Sequence, residues 1–479
     1  MNKLKLFSFA FLTIVLVLVI CFGSKVAQAT TMAAVPDVDQ QLIKKVVNDY
    51  FDKRYQSQKN LQLSDFSSLI ANSSTNDDLK KETRKLELEV YHSKVFQLQI
   101  LQYQIYLDFG NMTYDPASLT ATVNVTEGSD VIYAITAPIV SKARNINHFI
   151  LLQKDNGIWK ISADKYEDEF WKFLKGNSLT DVELRNQFDN SAKQFTKSMS
   201  ALSSASPKTL QSENTCTYLC YDRQGAKNYA DAHYNKSISN PDYSYIDGLD
   251  CTNFVSQAMF EGGGVSQVYD TAAFQNREYY QIINGYPQGY YNGNGFYYWK
   301  FWVFYNGDWY HLFNHSTSWT QVDSLHTFLV PQPTDIHFHY LGGPIATDLD
   351  PNDISQLGIG DIIQFDWDGD RNWDHSVIIS GIQGTLILVD AHSDDYLNKP
   401  LNWYVYTFNP VSIRYIHIND NLYRPFVYLP AIRGGKMVPQ IAGSTAYPAP
   451  GQTTSSRLPA YPPPVQNNPA QPNRAYPAP

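Results

Sequence analysis

Asp250-Cys251-Thr252-Asn253-Phe254-Val255-Ser256-Gln257-Ala258-Met259, closed by Gly262-Gly263-Gly264, is the most informative stretch of this chain. Phe254, Val255, Ala258 and Met259 recur at three- and four-residue spacing, which predicts a helix with Asp250 as its N-cap and the triple glycine as its stop. Cys251 then sits at a helix N-terminus. Aligned backbone dipoles and free N–H groups there favour an anion and lower a thiol's pKa, although the charge of Asp250 opposes this in part. A thiolate is the nucleophile that acyl transfer needs, and the same N–H groups can stabilise an oxyanion. A buried structural cysteine would also fit this position.

Cysteine parity bears on that choice. Residues 1–29 read as a signal peptide: Lys3 and Lys5 precede an apolar run from Leu6 to Phe22, and Ala27-Gln28-Ala29 is a small-x-small cleavage site. The mature chain then holds Cys216, Cys220 and Cys251. The first two are close enough to pair, which leaves Cys251 as the odd free thiol of a secreted protein. Two reduced cysteines are the alternative, because a four-residue separation demands particular backbone geometry. The run from Leu6 is near the lower length limit for a membrane span, so an uncleaved anchor stays open; after cleavage no segment is expected to span.

A nucleophilic cysteine needs a base. Of eleven histidines, His375 stands in the clearest context, in Trp373-Asp374-His375-Ser376-Val377-Ile378-Ile379-Ser380, the start of an apolar strand. After Gly381-Ile382-Gln383-Gly384 comes Thr385-Leu386-Ile387-Leu388-Val389-Asp390-Ala391-His392. A symmetric turn that pairs Gly381 with Gly384 sets Val377 opposite Leu388 and His375 opposite Asp390, with His392 diagonal on the same face. Either Asp390 or His392 would accept the imidazole N–H and fix its tautomer, the orienting role in a nucleophile, base and orienter set. A one-residue slip would send both to the other face.

Outward from this pair the pattern changes. Helical spacing runs from about Asp37 to Asp108, through Leu42, Val46, Val47, Tyr50 and Phe51 and later Leu86, Val90, Tyr91 and Leu98. From Asn111 to about Lys165 it gives way to alternation, with Ala121, Val123 and Val125 on one face and an Asp155-Asn156-Gly157 turn before Ile158-Trp159-Lys160-Ile161. Residues 37–175 are therefore expected to form an α+β domain of helices and antiparallel sheet, whose last hairpin resembles the closing strands of cystatin-like or NTF2-like domains. With no catalytic constellation, it reads as a binding or positioning module. Residues 176–214 read as a helical, Ser-rich linker and 215–433 as the cysteine-bearing domain. In 434–479 the unit Ala-Tyr-Pro recurs at Ala446, Ala460 and Ala475, which predicts a disordered Pro-rich tail, either a cell-wall spacer or a plain solvated end.

Composition narrows the class of function. The 479 residues suffice for two domains and a tail, and 37 basic against 46 acidic residues, with no basic block, argue against an electrostatic nucleic-acid binder. Removing residues 1–29 takes away Lys3, Lys5 and Lys25 and no acid, which leaves a more acidic mature protein.

The motifs together resemble a known family. Tyr221-Asp222-Arg223, Asp250 to Gln257, Ser316-Thr317-Ser318-Trp319, Leu357-Gly358-Ile359-Gly360-Asp361, Asp374-His375-Ser376 and Ala391-His392-Ser393 are similar to the putative amidase domain, a bacterial family of the NlpC/P60-like, papain-like clan. The resemblance covers about Cys216 to Arg433. It implies a papain-like α+β core, Cys251 as nucleophile, His375 as base and His392 as third polar residue, whereas the register above favours Asp390. It also implies a hydrolase that cuts a peptide or peptidoglycan-like amide in the cell envelope through a thioester, with no metal and no organic cofactor. A catalytically silent binding module built on the same cleft is the alternative.

Two further stretches carry weaker signals. Asp366-Trp367-Asp368-Gly369-Asp370 places oxygens at alternate positions, but its glycine is misplaced for an EF-hand and Val377 stands where the bidentate Glu belongs, so it reads as an acidic loop leading to His375. Ten of the fifteen residues from Phe296 to Tyr310 are aromatic, which reads as a buried strand before it reads as a stacking wall for substrate.

Overall fold

Helix α1 (Asp37–Asn60) carries Asp37 and Asp39 in its first turn, where the helix dipole favours acids, and buries Ile43, Val47, Tyr50 and Phe51. Helix α2 (Asp77–Val95) starts where the Asn76 side chain accepts from the amides of Asp78 and Leu79. An antiparallel meander follows: β1 (Ile100–Asp115), β2 (Thr120–Tyr133), β3 (Ser141–Asp155) and β4 (Ile158–Lys165). The computed structural model describes residues 35–72, 76–204, 220–246, 248–265, 280–283, 286–289, 297, 299–305, 308–331, 344–351, 354–405, 412–422, 432–433 and 436–437. The signal-peptide reading at 1–29, Cys216 and the tail from residue 438 lie outside these.

The helical spacing expected as far as Asp108 ends earlier, since β1 begins at Ile100. From Ile100 to Phe109 most positions are apolar or aromatic, so period-two alternation is masked; pairing to β2 from Ile100 to Asp115 reveals it.

Helix α3 (Glu169–Gly176) is capped by Asp168, which accepts from the Trp171 amide. Helix α4 (Asp181–Ser204) occupies most of the expected linker, yet Leu184, Phe188 and Phe195 are buried against Phe170 and Phe96. The cysteine-bearing half then runs through α5 (Arg223–His233), α6 (Asp250–Gln257), which continues as a π turn at Ala258–Gly262, and the hairpins β5 (Tyr280–Ile283), β6 (Tyr286–Gly289) and β7 (Trp299–Tyr305), β8 (Asp308–His315). Short helices α7 (Thr317–Thr320) and α8 (Val322–Leu329) lead to β9 (Ala346–Leu349), β10 (Ile362–Asp366), β11 (His375–Gln383), β12 (Leu386–Ala391), β13 (Asp395–Pro400), α9 (Leu401–Tyr404) and β14 (Ser412–Ile418).

The fold is α+β, and one ten-stranded antiparallel sheet joins both halves in the order β1-β2-β3-β13-β12-β11-β10-β14-β9, with β4 on β3. The junction is β13 on β3, where Tyr396 pairs with Ala143. A shared core follows from it: Phe170, Phe173 and Phe188 pack in the same cluster as Val377, Ile387 and Tyr404. Among the described residues no helix is long and apolar enough to cross a membrane.

Candidate active site

The helix that carries Cys251 is buried on every side. Phe254, Val255, Ala258 and Met259 are fully enclosed, and burying Phe254 alone stabilises by about 1.5–3 kcal/mol. Polar clasps fix its start: Trp319 Nε1 donates to Asn253 Oδ1 at 3.0 Å, Asn253 Nδ2 donates to Asp250 Oδ1 at 2.8 Å, and the Ile246 amide donates to the same oxygen at 3.0 Å. Asp250 is therefore not the N-cap expected from sequence. Leu249 holds that position with no side-chain cap, because the Asp250 carboxylate is engaged elsewhere. The glycine end does more than stop the helix: a Cβ on Gly262 would lie 2.3 Å from the Gly225 carbonyl oxygen, so bare backbone lets α6 press against α5.

His375 opens β11, next to α6 in the fold, and is 3% exposed; Cys251 is 4% exposed. Burial alone would raise the Cys251 thiol, but the neighbouring His375 imidazole and its charge, the Ser376 amide and the Thr252 hydroxyl outweigh it, so the thiol lies below its ordinary value. His375 moves the opposite way. Burial opposes its charge, yet the Glu169 carboxylate and then the neighbouring Cys251 raise it. The two shifts together favour a thiolate beside an imidazolium. The ring is held by aromatic layers, with Tyr404 at 5.8 Å, Phe365 at 6.3 Å and Trp367 at 6.4 Å, all within 28° of parallel.

Neither expected orienter reaches His375. The strands β11 and β12 join through a two-residue turn at Gly384 and Thr385, with Gln383 opposite Leu386 and a bulge between Ile379 and Gly381, so Asp390 faces Ile378. The Asp390-to-His375 pairing is corrected accordingly. Asp390 Oδ1 accepts from the Asn398 amide at 2.7 Å, and burial, then the Asp231 charge, push its pKa well up. Asp390 Oδ2 and Asp231 Oδ1 are both buried without a hydrogen-bond partner among the described residues, and burial with the Asp231 charge favours the protonated form of Asp390. His392 is equally committed: Nδ1 bonds Asp250 Oδ2 at 2.6 Å, Nε2 donates to the His233 carbonyl at 2.6 Å, and the ring stacks 4.1 Å from Phe254. It secures the loop before Cys251. Among the described residues His375 Nε2 is buried without a hydrogen-bond partner.

The Asp390 proton gives a stability test. A carboxyl whose folded pKa is raised contributes fully below the unfolded value and loses that contribution as pH rises through the folded one. Asp390→Asn retains an acceptor for Asn398 and offers Asp231 an N–H donor. The thermal midpoint of the variant minus that of wild type is therefore expected to grow by a few degrees from about pH 4 to about pH 8. A difference that is flat with pH would mean that Asp390 is not held protonated in the fold.

Cys251 and His375 line a cavity of about 530 Å³ together with Glu169, Lys172, Asp374 and Asp394. Burial and the neighbouring Glu169 push the Asp394 carboxyl up to about 8, and burial raises Asp374 to about 6. Ser393, at φ 90°, turns the chain into this wall in a conformation costly for a residue with a side chain. Asp366, Asp368 and Asp374 bring carboxylate oxygens within 4.8 Å of one another. Asp366 and Asp374 turn theirs onto loop amides, including Gly369 N to Asp366 Oδ1 at 2.7 Å and Trp367 N to Asp374 Oδ2 at 2.7 Å. Of the aromatic stretch, Tyr297 and Trp299 are buried in the core with Trp319; the side chains of Trp302 and Trp309 lie outside the described residues. Cys220 is disulfide-bonded to a partner outside the described residues, and Cys251 is free.

Residues 220–414 match the model of a family described as a putative amidase domain, which supports an amidase-like family and a hydrolase acting on amides. Over 204 residues, 42% of the chain, the sequence is 27% identical to a Bacillus subtilis (strain 168) protein described as uncharacterised, YhbB. That alignment covers 51% of the relative, so the chain spans about half the length of the curated protein it matches. Glu169, which lines the cavity and acts on His375, lies before the matched segment and was missed in the sequence: in Asp168-Glu169-Phe170 nothing local distinguishes it from an ordinary first-turn acid.

Proposed function

We propose that this protein is a cysteine-dependent amidase or peptidase. The observation that carries the reading is that Cys251 and His375, both buried, line one cavity, and their pKa displacements are opposed. His375 takes the Cys251 proton; the thiolate adds to an amide carbonyl to form the C–S bond and a tetrahedral oxyanion. Collapse breaks the C–N bond as His375 delivers the proton to the leaving amine, and a thioester remains on Cys251. Water, deprotonated by His375, adds to the thioester, and the carboxylic acid leaves as Cys251 is regenerated. No step calls for a metal or an organic cofactor. The resemblance to the NlpC/P60-like, papain-like clan and the leader-like residues 1–29 support export and a peptidoglycan-like amide in the cell envelope, with the Pro-rich tail associating with the wall.

The experiment is the pH dependence of iodoacetamide labelling of Cys251. Wild type is expected to label rapidly near neutral pH and His375→Ala slowly, both folded by circular dichroism. The slight exposure of Cys251 favours a second reading, a binding module without turnover, and a Cys251 that is inert or indifferent to His375 would establish it.

A further inference from the structure

Three candidates fill an acidic role near a cysteine–histidine pair, and two are already engaged. His392 spends both ring nitrogens on Asp250 and the His233 carbonyl, and Asp390 is shared between Asn398 and Asp231. Glu169 is different. It is 1% exposed, opens α3, and lines the cavity with Cys251 and His375. Its place is rigid: Asp168 caps the helix and pairs with the buried Lys85 at 2.8 Å, Phe170 and Phe173 are 1% exposed in the shared core, and the Glu169 amide donates to Asp394 Oδ2 at 3.1 Å. Lys172 Nζ pairs with Glu169 Oε1 at 3.0 Å.

We propose that Glu169 is a positioning residue of the Cys251–His375 pair, and that the region preceding the amidase-domain match completes the active site by supplying this carboxylate. The proposal rests on the hydrolase reading above. The other groups around His375 in the cavity are Cys251, Lys172, Asp374 and Asp394, with the Tyr404 ring stacked on it and Glu167 and Asp368 at the exposed rim. Asp394, driven up to about 8, is largely neutral near pH 7 and supplies little charge. Among these groups Glu169 is the largest influence favouring the imidazolium, and Lys172 is the influence that opposes it. Because α3 belongs to the N-terminal half, the pair depends on how that half docks through β3 and β13.

The test is the alkylation rate of Cys251 by iodoacetamide across pH in the full chain, read at its upper limb, where His375 loses its proton and the thiolate becomes more nucleophilic. Glu169→Gln is expected to move that limb to lower pH, by about tenfold in proton affinity, and Glu169→Asp to restore part of the shift. Lys172→Met, at a side chain 41% exposed and so tolerant of replacement, is expected to move it to higher pH. That opposed pair of signs is what a merely structural Glu169 would not produce. If Glu169→Gln does not fold, Glu169→Asp carries the test: its longer reach to His375 is expected to move the limb to lower pH by a smaller step. A two-limb wild-type profile that the Glu169 variants do not displace overturns the role of Glu169 alone; a wild type with no His375-dependent limb overturns the hydrolase reading and this inference with it.

Discussion

On the proposed hydrolase reading, serine in place of Cys251 is expected to lower kcat/KM by about 10⁴-fold or more, with muropeptides as the proposed substrate to assay, while the thermal midpoint stays within a few degrees of wild type. The loss follows from acidity. The imidazole of His375, the Ser376 amide and the Thr252 hydroxyl bring a thiol below its ordinary value, but a hydroxyl is far less acidic, so in the Cys251→Ser variant the same surroundings leave the introduced side chain protonated. Size and packing barely change, which separates chemistry from folding. His375→Ala keeps the thiol and loses its proton acceptor and donor, for an expected drop of about 10²–10⁴-fold. Chromatographic release of the product amine measures both. Undiminished turnover in Cys251→Ser would eliminate the thioester route.

The pair itself was legible because each member announces its element. Cys251 precedes four apolar residues at helical spacing, and His375 precedes an unbroken run of strand formers; both elements stand where they were expected. What could not be read was the partner. A symmetric turn about Ile382 and Gln383 assigned Asp390 to His375, whereas Gly384 at φ 61° opens a two-residue turn with glycine in the first central place, the type II′ pattern. Reading that glycine correctly would have moved the register, although the bulge at Ser380 leaves no sequence signal. Glu169 was invisible for another reason: its role depends on β3 pairing with β13, a contact between segments some 250 residues apart that no local periodicity encodes.

Arg223→Met is expected to destabilise the protein by about 3–5 kcal/mol, without touching the cavity. Two motifs of the family resemblance meet here. Tyr221-Asp222-Arg223 and Gly358-Ile359-Gly360-Asp361 are distant in sequence, yet Tyr221 Oη donates to the Gly360 carbonyl at 2.7 Å and Arg223 Nη1 bonds Asp361 Oδ1 at 2.6 Å. The same guanidinium reaches Asp420 at 3.0 Å and the carbonyls of Ile359 and Ile418. Asp361 is fully buried and also accepts from the amides of Gly358 and Ile418 and contacts His417 Nδ1 at 2.8 Å. Removing Arg223 strands that carboxylate out of water, which costs more than the pair contributes, since desolvation is no longer offset. Asp361→Asn added to Arg223→Met is expected to recover part of the loss, because a neutral amide keeps the carbonyl oxygen for the Ile418 amide and carries no charge into the interior. Chemical denaturation of the two variants measures it. Equal stability of Arg223→Met and wild type would mean the clasp is dispensable; a large loss partly reversed in the double variant assigns these residues to holding β10 and β14 in place.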